Sequence, residues 1–280
     1  MSGTLHTASV SELAWLLRGK RALVLTGAGA STDSGIPDYR GPEGSLRRRN
    51  PITFSEYMRD DAARRRYWAR STIGWPVIAA VEPNTTHDVV ARLEAKRLAT
   101  GVVTQNVDGL HSKAGSKSVV ELHGNLGRVV CLDCGATVPR GDLQERMLRD
   151  NPGWRLWQAE EAPDGDAELP EELTREFAVP ACEACGGILK PDVVFFGENV
   201  PAARVERVFS MVEECEALIV LGSSLTVYSG YRFVEYAARL GKPLGIVNLG
   251  ETRADSLATM RIDAPLAEVM PVLAEALGVA

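Results

Sequence analysis

Short apolar stretches alternating with helical ones predict an α/β fold: a doubly wound parallel sheet with a smaller inserted metal-binding module. Three observations carry this. Residues 22–26 (ALVLT), 101–104 (GVVT), 118–122 (SVVEL), 217–221 (ALIVL) and 244–249 (LGIVNL) are apolar almost throughout, as strands buried on both faces must be. Helical segments separate several of them, which is the sequence form of a parallel sheet covered on both sides. Two Cys-x-x-C pairs interrupt the rhythm, at Cys131/Cys134 and Cys182/Cys185.

The 280 residues are enough to bury a substantial core, in one large domain carrying an insertion. Hydrophobic content of 45% and charged content of 24% are those of an ordinary soluble protein. With a net charge of -6, and basic runs confined to Arg47–Arg49 and Arg64–Arg66, nucleic acid is not the expected partner. No apolar run approaches the roughly 20 residues of a membrane span, and the N-terminus lacks the pattern of a secretory signal. Five cysteines, four of them in pairs, suit metal binding in a reducing cytoplasm better than a disulfide framework.

In chain order, Ser9-x-x-Glu12 reads as a capping box opening a helix over 12–17. The strand at 22–26 runs into a glycine-rich loop. Residues 41–83 form an arginine-rich helical insertion containing Trp68 and Trp75, and 84–98 is a helix with Val89, Val90, Leu93 and Leu98 on one face. Residues 128–190 form the inserted module, with both cysteine pairs and an acidic stretch at 160–172. Helices at 230–240 and 264–277 complete the alternation across a 1–280 catalytic unit.

Each cysteine pair is followed by glycine, which suits the turn beneath a metal. Four thiolates select zinc and close a tetrahedral site, leaving no position for water, so the ion is structural. Such a site contributes on the order of 10–16 kcal/mol to folding its module. Two unrelated redox or core pairs are the alternative. Cys215 reads as a core cysteine.

The loop GAGASTDSGIPDYR (27–40) lets backbone N–H groups approach a phosphate at Gly27 and Gly29. Thr32 stands where a dinucleotide fingerprint has its third glycine, and a P-loop lysine is missing, so nucleotide binding and a plain tight turn both remain open. Asp38, Tyr39 and Arg40 put an acid, a ring and a cation just beyond. Further polar residues follow other strands: Gln105, Asn106 and Asp108; Gly222, Ser223 and Ser224; Asn248. Ligands of such sheets bind beyond the strand C-termini, so several polar strand ends imply one ligand crossing the crevice. His111 is expected to support its loop. His123 ends the third strand, and its unperturbed pKa near 6.5 suits a general base. A structural role is the alternative, and placement at the crevice favours the base.

These motifs, with ELHGN (121–125), KPDVVFFGE (190–198), LGSSL (221–225) and IVNLG (246–250) in this order, resemble the sirtuin family from about Arg18 to Leu266. The stretches CGGILKPDVVFFGE and LGSSLTVYSGYRF resemble its class II branch most, which includes the mitochondrial type 4 sirtuin. The resemblance implies a Rossmann-like sheet with a structural zinc ion, and an NAD-dependent protein lysine deacylase. In that reaction nicotinamide leaves, His123 takes a proton from a ribose hydroxyl, and the acyl group ends on ADP-ribose. It further implies that Gly27, Ala28, Gly29, Ser31 and Arg40 contact the phosphate region, and Asp38 and Tyr39 the nicotinamide. Gln105 and Asn106 would hold the ribose, Asp108 the carboxamide, and Gly222, Ser223 and Ser224 the phosphates and distal ribose. Asn248, Leu249, Gly250 and Leu266 would surround the adenosine. Val194 and Phe196 would line an acyl-lysine tunnel, with Gly197 and Glu198 pairing to the peptide as an added strand. Tyr39 stands where many sirtuins have phenylalanine, and the Tyr and Arg pair of the succinyl-preferring branch has no match, so an acidic acyl group is not the first expectation. Acylated-lysine proteins are the expected partners of a monomeric enzyme. A mono-ADP-ribosyltransferase and a non-catalytic dinucleotide sensor are the rivals.

Overall fold

A computed structural model describes residues 3–38, 51–154 and 174–280. Tyr39, Arg40, the run Arg47–Arg49 and the acidic stretch at 160–172 lie outside the described residues.

The main sheet has six strands: β1 (Ala22–Thr26), β2 (Ala99–Thr104), β3 (Val119–Glu121), β7 (Ala217–Leu221), β8 (Leu244–Val247) and β9 (Met260–Ile262). Their order is β3-β2-β1-β7-β8-β9, and every pairing is parallel. β9, at one edge, was not anticipated. The order reverses direction between β1 and β7, where a doubly wound sheet opens its ligand crevice.

Side chains alternate across this sheet. Ala22, Val24, Val102, Ala217 and Ile219 face one layer with Val10, Leu13 and Leu17 of α1 (Gly3–Leu17), Val89, Val90 and Leu93 of α4 (Thr85–Ala95) and Val269, Met270 and Leu273 of the C-terminal helix α9 (Leu266–Leu277). Leu23, Leu25, Val103, Leu218 and Val220 face the other, with Val208, Met211 and Val212 of α7 (Ala202–Glu214) and Phe233, Val234 and Ala237 of α8 (Tyr228–Arg239). Two covered faces explain why the strands read as unbroken apolar runs.

Several sequence boundaries move. α1 begins at Gly3, so Ser9 and Glu12 lie inside the helix rather than at its start. α4 ends at Ala95 rather than 98, because Arg97 takes a left-handed φ of 60° and the Leu98 carbonyl already accepts from Ala22 N–H of β1. β8 stops at Val247, since the Asn248 side chain turns the chain by donating to the carbonyls of Leu249 and Gly250.

The second sheet is antiparallel, in the order β5-β4-β6: β4 (Gly124–Cys131), β5 (Thr137–Pro139) and β6 (Leu189–Val193). It shares one core with α2 (Phe54–Arg59), α3 (Asp61–Ala80) and α6 (Arg140–Asp150), through Tyr57, Trp68, Val129, Leu143, Met147, Leu189 and Phe195. The two insertions therefore pack on each other. Arg140 joins them. Almost fully buried, it lies against the Trp68 and Trp75 rings at 5.4 and 5.3 Å and donates to the Ser71 carbonyl and Gln144 Oε1. Burial pushes its pKa down to about 10.

Candidate active site and metal centre

The main sheet ends and the small sheet begins at one residue. β3 closes at Glu121, Leu122 is buried, and β4 opens at Gly124, leaving His123 at the passage between them. Gly124 has φ 90°, and a Cβ there would stand 1.9 Å from the Asp192 carbonyl oxygen of β6. Only glycine lets the two strands meet this closely.

His123 is held at both nitrogens. Nδ1 lies 2.8 Å from the Gln105 carbonyl oxygen and Nε2 lies 2.7 Å from Ser229 Oγ. A carbonyl can only accept, so Nδ1 carries the proton and Nε2 presents its lone pair to the Ser229 hydroxyl. Burial lowers the pKa of His123, the Gln105 carbonyl counteracts, and the Arg204 and Arg232 charges lower it further. At neutral pH the imidazole is uncharged and able to take a proton.

Opposite stands a cluster built around Ser31. The Asn106 amide donates to the Gly27 carbonyl at 3.0 Å and to Ser31 Oγ at 2.9 Å. The Ser31 hydroxyl donates to Asp108 Oδ2 at 2.7 Å, and Asp108 Oδ1 accepts from Leu110 N–H at 2.9 Å. Burial raises the pKa of Asp108, against these hydrogen bonds. His87 Nε2 stands 3.5 Å from Ser31 Oγ, while its Nδ1 accepts from Asn84 N–H, the N-cap of α4. His111 sits beside it, ring centroids 4.7 Å apart, with Nε2 2.9 Å from Thr26 Oγ1. Burial drives His87 down to about 4 and His111 to about 3, the latter also through His87. Both are neutral supports of the loop. His87 was missed in the sequence because nothing in NTTH (84–87) separates a capping histidine from a surface one.

The crevice floor is bare backbone. A Cβ on Gly27 would meet Ser223 at 2.7 Å, and one on Gly29 would meet Gly222 Cα at 2.9 Å. Gly222 itself has φ 62°. The loops after β1 and β7 thus touch at the point where the sheet order reverses, bringing Gly27, Ala28, Gly29, Gly222 and Ser223 together. Ser223 is buried and accepts from the Gln105 amide at 2.7 Å, so both side chains brace the crevice wall. Ser224 Oγ bonds with Thr226 Oγ1, and Leu249 is well exposed at the mouth. The Leu266 side chain is packed in the core instead, as the first residue of α9. Asp38 lies at the last described position of the glycine loop.

The segment after β6 reaches His123 directly, with Val194 N–H donating to the His123 carbonyl at 2.8 Å. Phe196 is exposed, its carbonyl accepts from Phe54 N–H, and Gly197 takes φ 79°. Glu198 turns its carboxylate inward, to Phe195 N–H at 2.8 Å and to the buried Lys190 ammonium at 3.0 Å. Lys190, also missed in the sequence, lies 4.6 Å from the Phe195 ring centroid and donates to the Val193 carbonyl.

The four paired cysteines converge. Their sulfurs all lie within 4.8 Å of one another, with Cys131–Cys185 at 3.5 Å and Cys134–Cys182 at 3.8 Å. Zn–S bonds of about 2.3 Å at tetrahedral angles put sulfurs about 3.8 Å apart, so the donor set and spacing fit zinc. Gly135 and Gly186 take left-handed φ values of 73° and 76° beneath the two pairs. His123 is not among the ligands, and Cys215 is buried in the core at the end of α7.

The Sir2 family model matches residues 27–229. An "NAD-dependent protein deacetylase" of Xanthomonas campestris pv. campestris (strain 8004) is 51% identical over 256 residues, covering 91% of this chain and 87% of the relative. An "NAD-dependent protein deacetylase 1" of Streptomyces coelicolor is 52% identical over 272 residues, covering 97% and 91%. Among solved structures, a Sir2 enzyme with a p53 peptide and NAD+ aligns with TM-score 0.78 and 33% identity, over 96% of this chain and 98% of the other. A Sir2 bound to acetylated peptide aligns with TM-score 0.77 and 31% identity, over 97% and 99%. With the crevice, the four-cysteine cluster and these matches agreeing, the chain belongs to the Sir2 family.

Proposed function

We propose that this protein is an NAD-dependent protein lysine deacylase that moves the acyl group of an acyl-lysine onto ADP-ribose and releases nicotinamide. The observation that carries the reading is His123: uncharged, locked in the Nδ1–H tautomer, and bonded through its backbone to the segment beginning at Val194. Binding alone requires no base so arranged, which speaks against a non-catalytic sensor. The deacetylase relatives support the same chemistry.

NAD is a substrate here. Ala28 lends its backbone N–H to the phosphates, and Gly27, Gly29 and Gly222, whose own N–H groups donate to the carbonyls of Leu221, Gly222 and Val247, leave room for them beside Ser224. Asn106 and Gln105 flank the ribose beside His123, and Asp108 faces the nicotinamide carboxamide, with Asp38 beside it. Asn248, Leu249 and Gly250 border the adenosine end, Leu266 lending at most backbone. Val194 and Phe196 line the acyl-lysine passage, and Gly197 with the Glu198 backbone pairs with the peptide. His123 Nε2 receives the proton of the ribose hydroxyl that then attacks the acyl carbon.

Cys131, Cys134, Cys182 and Cys185 hold zinc, which when bound fixes the small lobe. It takes no part in the reaction, since four thiolates leave no position for water or substrate. The chain's motifs favour the class II branch, and its reduced thiols suit the cytoplasm.

The test is mass spectrometry of acetyl-, succinyl-, lipoyl- and longer acyl-lysine peptides incubated with the protein and NAD. Loss of an acyl group with matching O-acyl-ADP-ribose supports the reading and ranks the chains. ADP-ribose gained by a protein acceptor, without deacylation, would put a mono-ADP-ribosyltransferase in its place.

A further inference from the structure

The hydroxyl of Ser229 occupies the nitrogen of His123 that the reaction needs. Nε2 and Ser229 Oγ are 2.7 Å apart, a short contact for these atoms. Ser229 is the second residue of α8, yet it does not cap the helix: the N-cap position is Val227, which makes no side-chain cap bond. Among the described residues its hydroxyl has no partner other than His123. Its backbone position is fixed from both sides. The next residue, Gly230, lies so close to Gln105 that a Cβ would meet Oε1 at 2.5 Å, and Gln105 in turn accepts from His123 Nδ1 through its carbonyl. The Ser229 carbonyl accepts from Arg232 Nε at 3.2 Å.

The surroundings make this hydroxyl consequential. Two cations face His123, Arg204 from α7, which donates to the Leu122 carbonyl at 3.4 Å, and Arg232 from α8. The N-terminal end of α8 adds positive potential of its own. All three oppose a proton arriving on Nε2. No carboxylate stands among the groups that shift His123. Compensation comes from two oxygens, the Gln105 carbonyl at Nδ1 and Ser229 Oγ at Nε2. Hydrogen bonds donated by a charged group are about twice as strong as neutral ones, so Ser229 Oγ stabilises the imidazolium more than the imidazole.

We propose that Ser229 relays the proton between the ribose hydroxyl of NAD and His123; this rests on the deacylase reading. The ribose O–H bond breaks and its proton passes to Ser229 Oγ, while the proton already on Oγ passes to His123 Nε2. One proton leaves the ribose, one arrives on the imidazole, and Ser229 remains a neutral hydroxyl that now accepts from Nε2–H. Nδ1–H stays on the Gln105 carbonyl throughout. The ribose oxygen is left as the nucleophile for the acyl carbon, with no change in oxidation state.

The relay acts after nicotinamide has left, so the two halves of the reaction report on it separately. The wild-type protein, Ser229→Ala and Ser229→Thr are each given acetyl-lysine peptide and NAD. One assay follows exchange of labelled nicotinamide into NAD, the other formation of O-acetyl-ADP-ribose. Ser229→Ala is expected to keep exchange within about twofold and to lose product formation by about 100-fold, the lower range for general acid–base catalysis. Ser229→Thr, which keeps the hydroxyl, is expected to retain both. An equal fall in both assays for Ser229→Ala would make Ser229 a structural support of α8. Undiminished product formation would mean that the ribose reaches His123 directly. Either result overturns the relay and leaves the deacylase reading intact. A wild-type protein that exchanges nicotinamide without deacylating would instead remove the reading on which the relay stands.

Discussion

Val194 N–H donates to the His123 carbonyl at 2.8 Å, so the segment assigned to the acyl-lysine and the assigned base are joined by one backbone hydrogen bond. The junction depends on Gly124, whose φ of 90° and approach to the Asp192 carbonyl admit no side chain. A left-handed φ on a non-glycine residue costs about 1–3 kcal/mol, and here steric conflict with backbone adds to it. Gly124→Ala is expected to lower stability by more than about 2 kcal/mol in denaturant unfolding. It should also raise KM for the peptide more than KM for NAD, because β6 must move away from His123.

His123→Ala should leave fold and metal content unchanged while deacylation falls by about 10²–10⁴-fold. The cysteine sulfurs converge without His123, so metal analysis of the variant separates a base from a ligand. Loss of zinc on this substitution would contradict the assignment.

Removal of one thiolate acts in the opposite sense. Cys131→Ser should abolish stoichiometric zinc and unfold the lobe formed by β4, β5, β6 and α6. Trp68 and Trp75 are held against Arg140 of α6, so their fluorescence should report the unfolding. A chelator should do the same to the wild-type protein. A Cys131→Ser variant with full zinc and unchanged emission would exclude the four-thiolate centre.

Acid should destabilise the protein through His87 and His111. Their folded pKa values, about 4 and about 3, lie below the usual 6.5. Below pH 6.5 the unfolded chain takes up protons that the folded one refuses, so stability declines as pH falls toward the folded values. Near pH 5 the loss is on the order of 2 kcal/mol for each histidine. Asp108, with its raised pKa, acts in the reverse direction: its contribution is fullest at low pH and lost as pH rises through the folded value. His87→Gln should reduce the stability difference between pH 7.5 and pH 5 by about 2 kcal/mol, measured by urea unfolding at both pH values.

The strands of the main sheet were legible because both faces are covered, which writes them as uninterrupted apolar runs. β7 matches its predicted span, Ala217–Leu221. β9 was not legible: three residues, MRI, carry too little pattern. The cysteine pairs announced a metal site through spacing alone. Other features were hidden because they depend on distant partners. Lys190 was given no role and Glu198 was assigned to the substrate peptide, yet the two form a pair beneath the segment that follows β6. Ser229 falls just before the helix expected at 230–240, and its partner lies 106 positions earlier. The residue that joins the two insertions, Arg140, gave no signal at all in the sequence. A cation buried between two indoles is legible only once α3 and α6 are packed.

The role of His123 is tested most directly by following acetyl-lysine peptide, NAD and their products by mass spectrometry, side by side for the wild-type protein and zinc-loaded His123→Ala. The wild-type protein should yield one nicotinamide and one O-acetyl-ADP-ribose for each lysine freed, and the variant almost none. Free acetate without NAD consumption, or an equal yield from His123→Ala, would contradict that role.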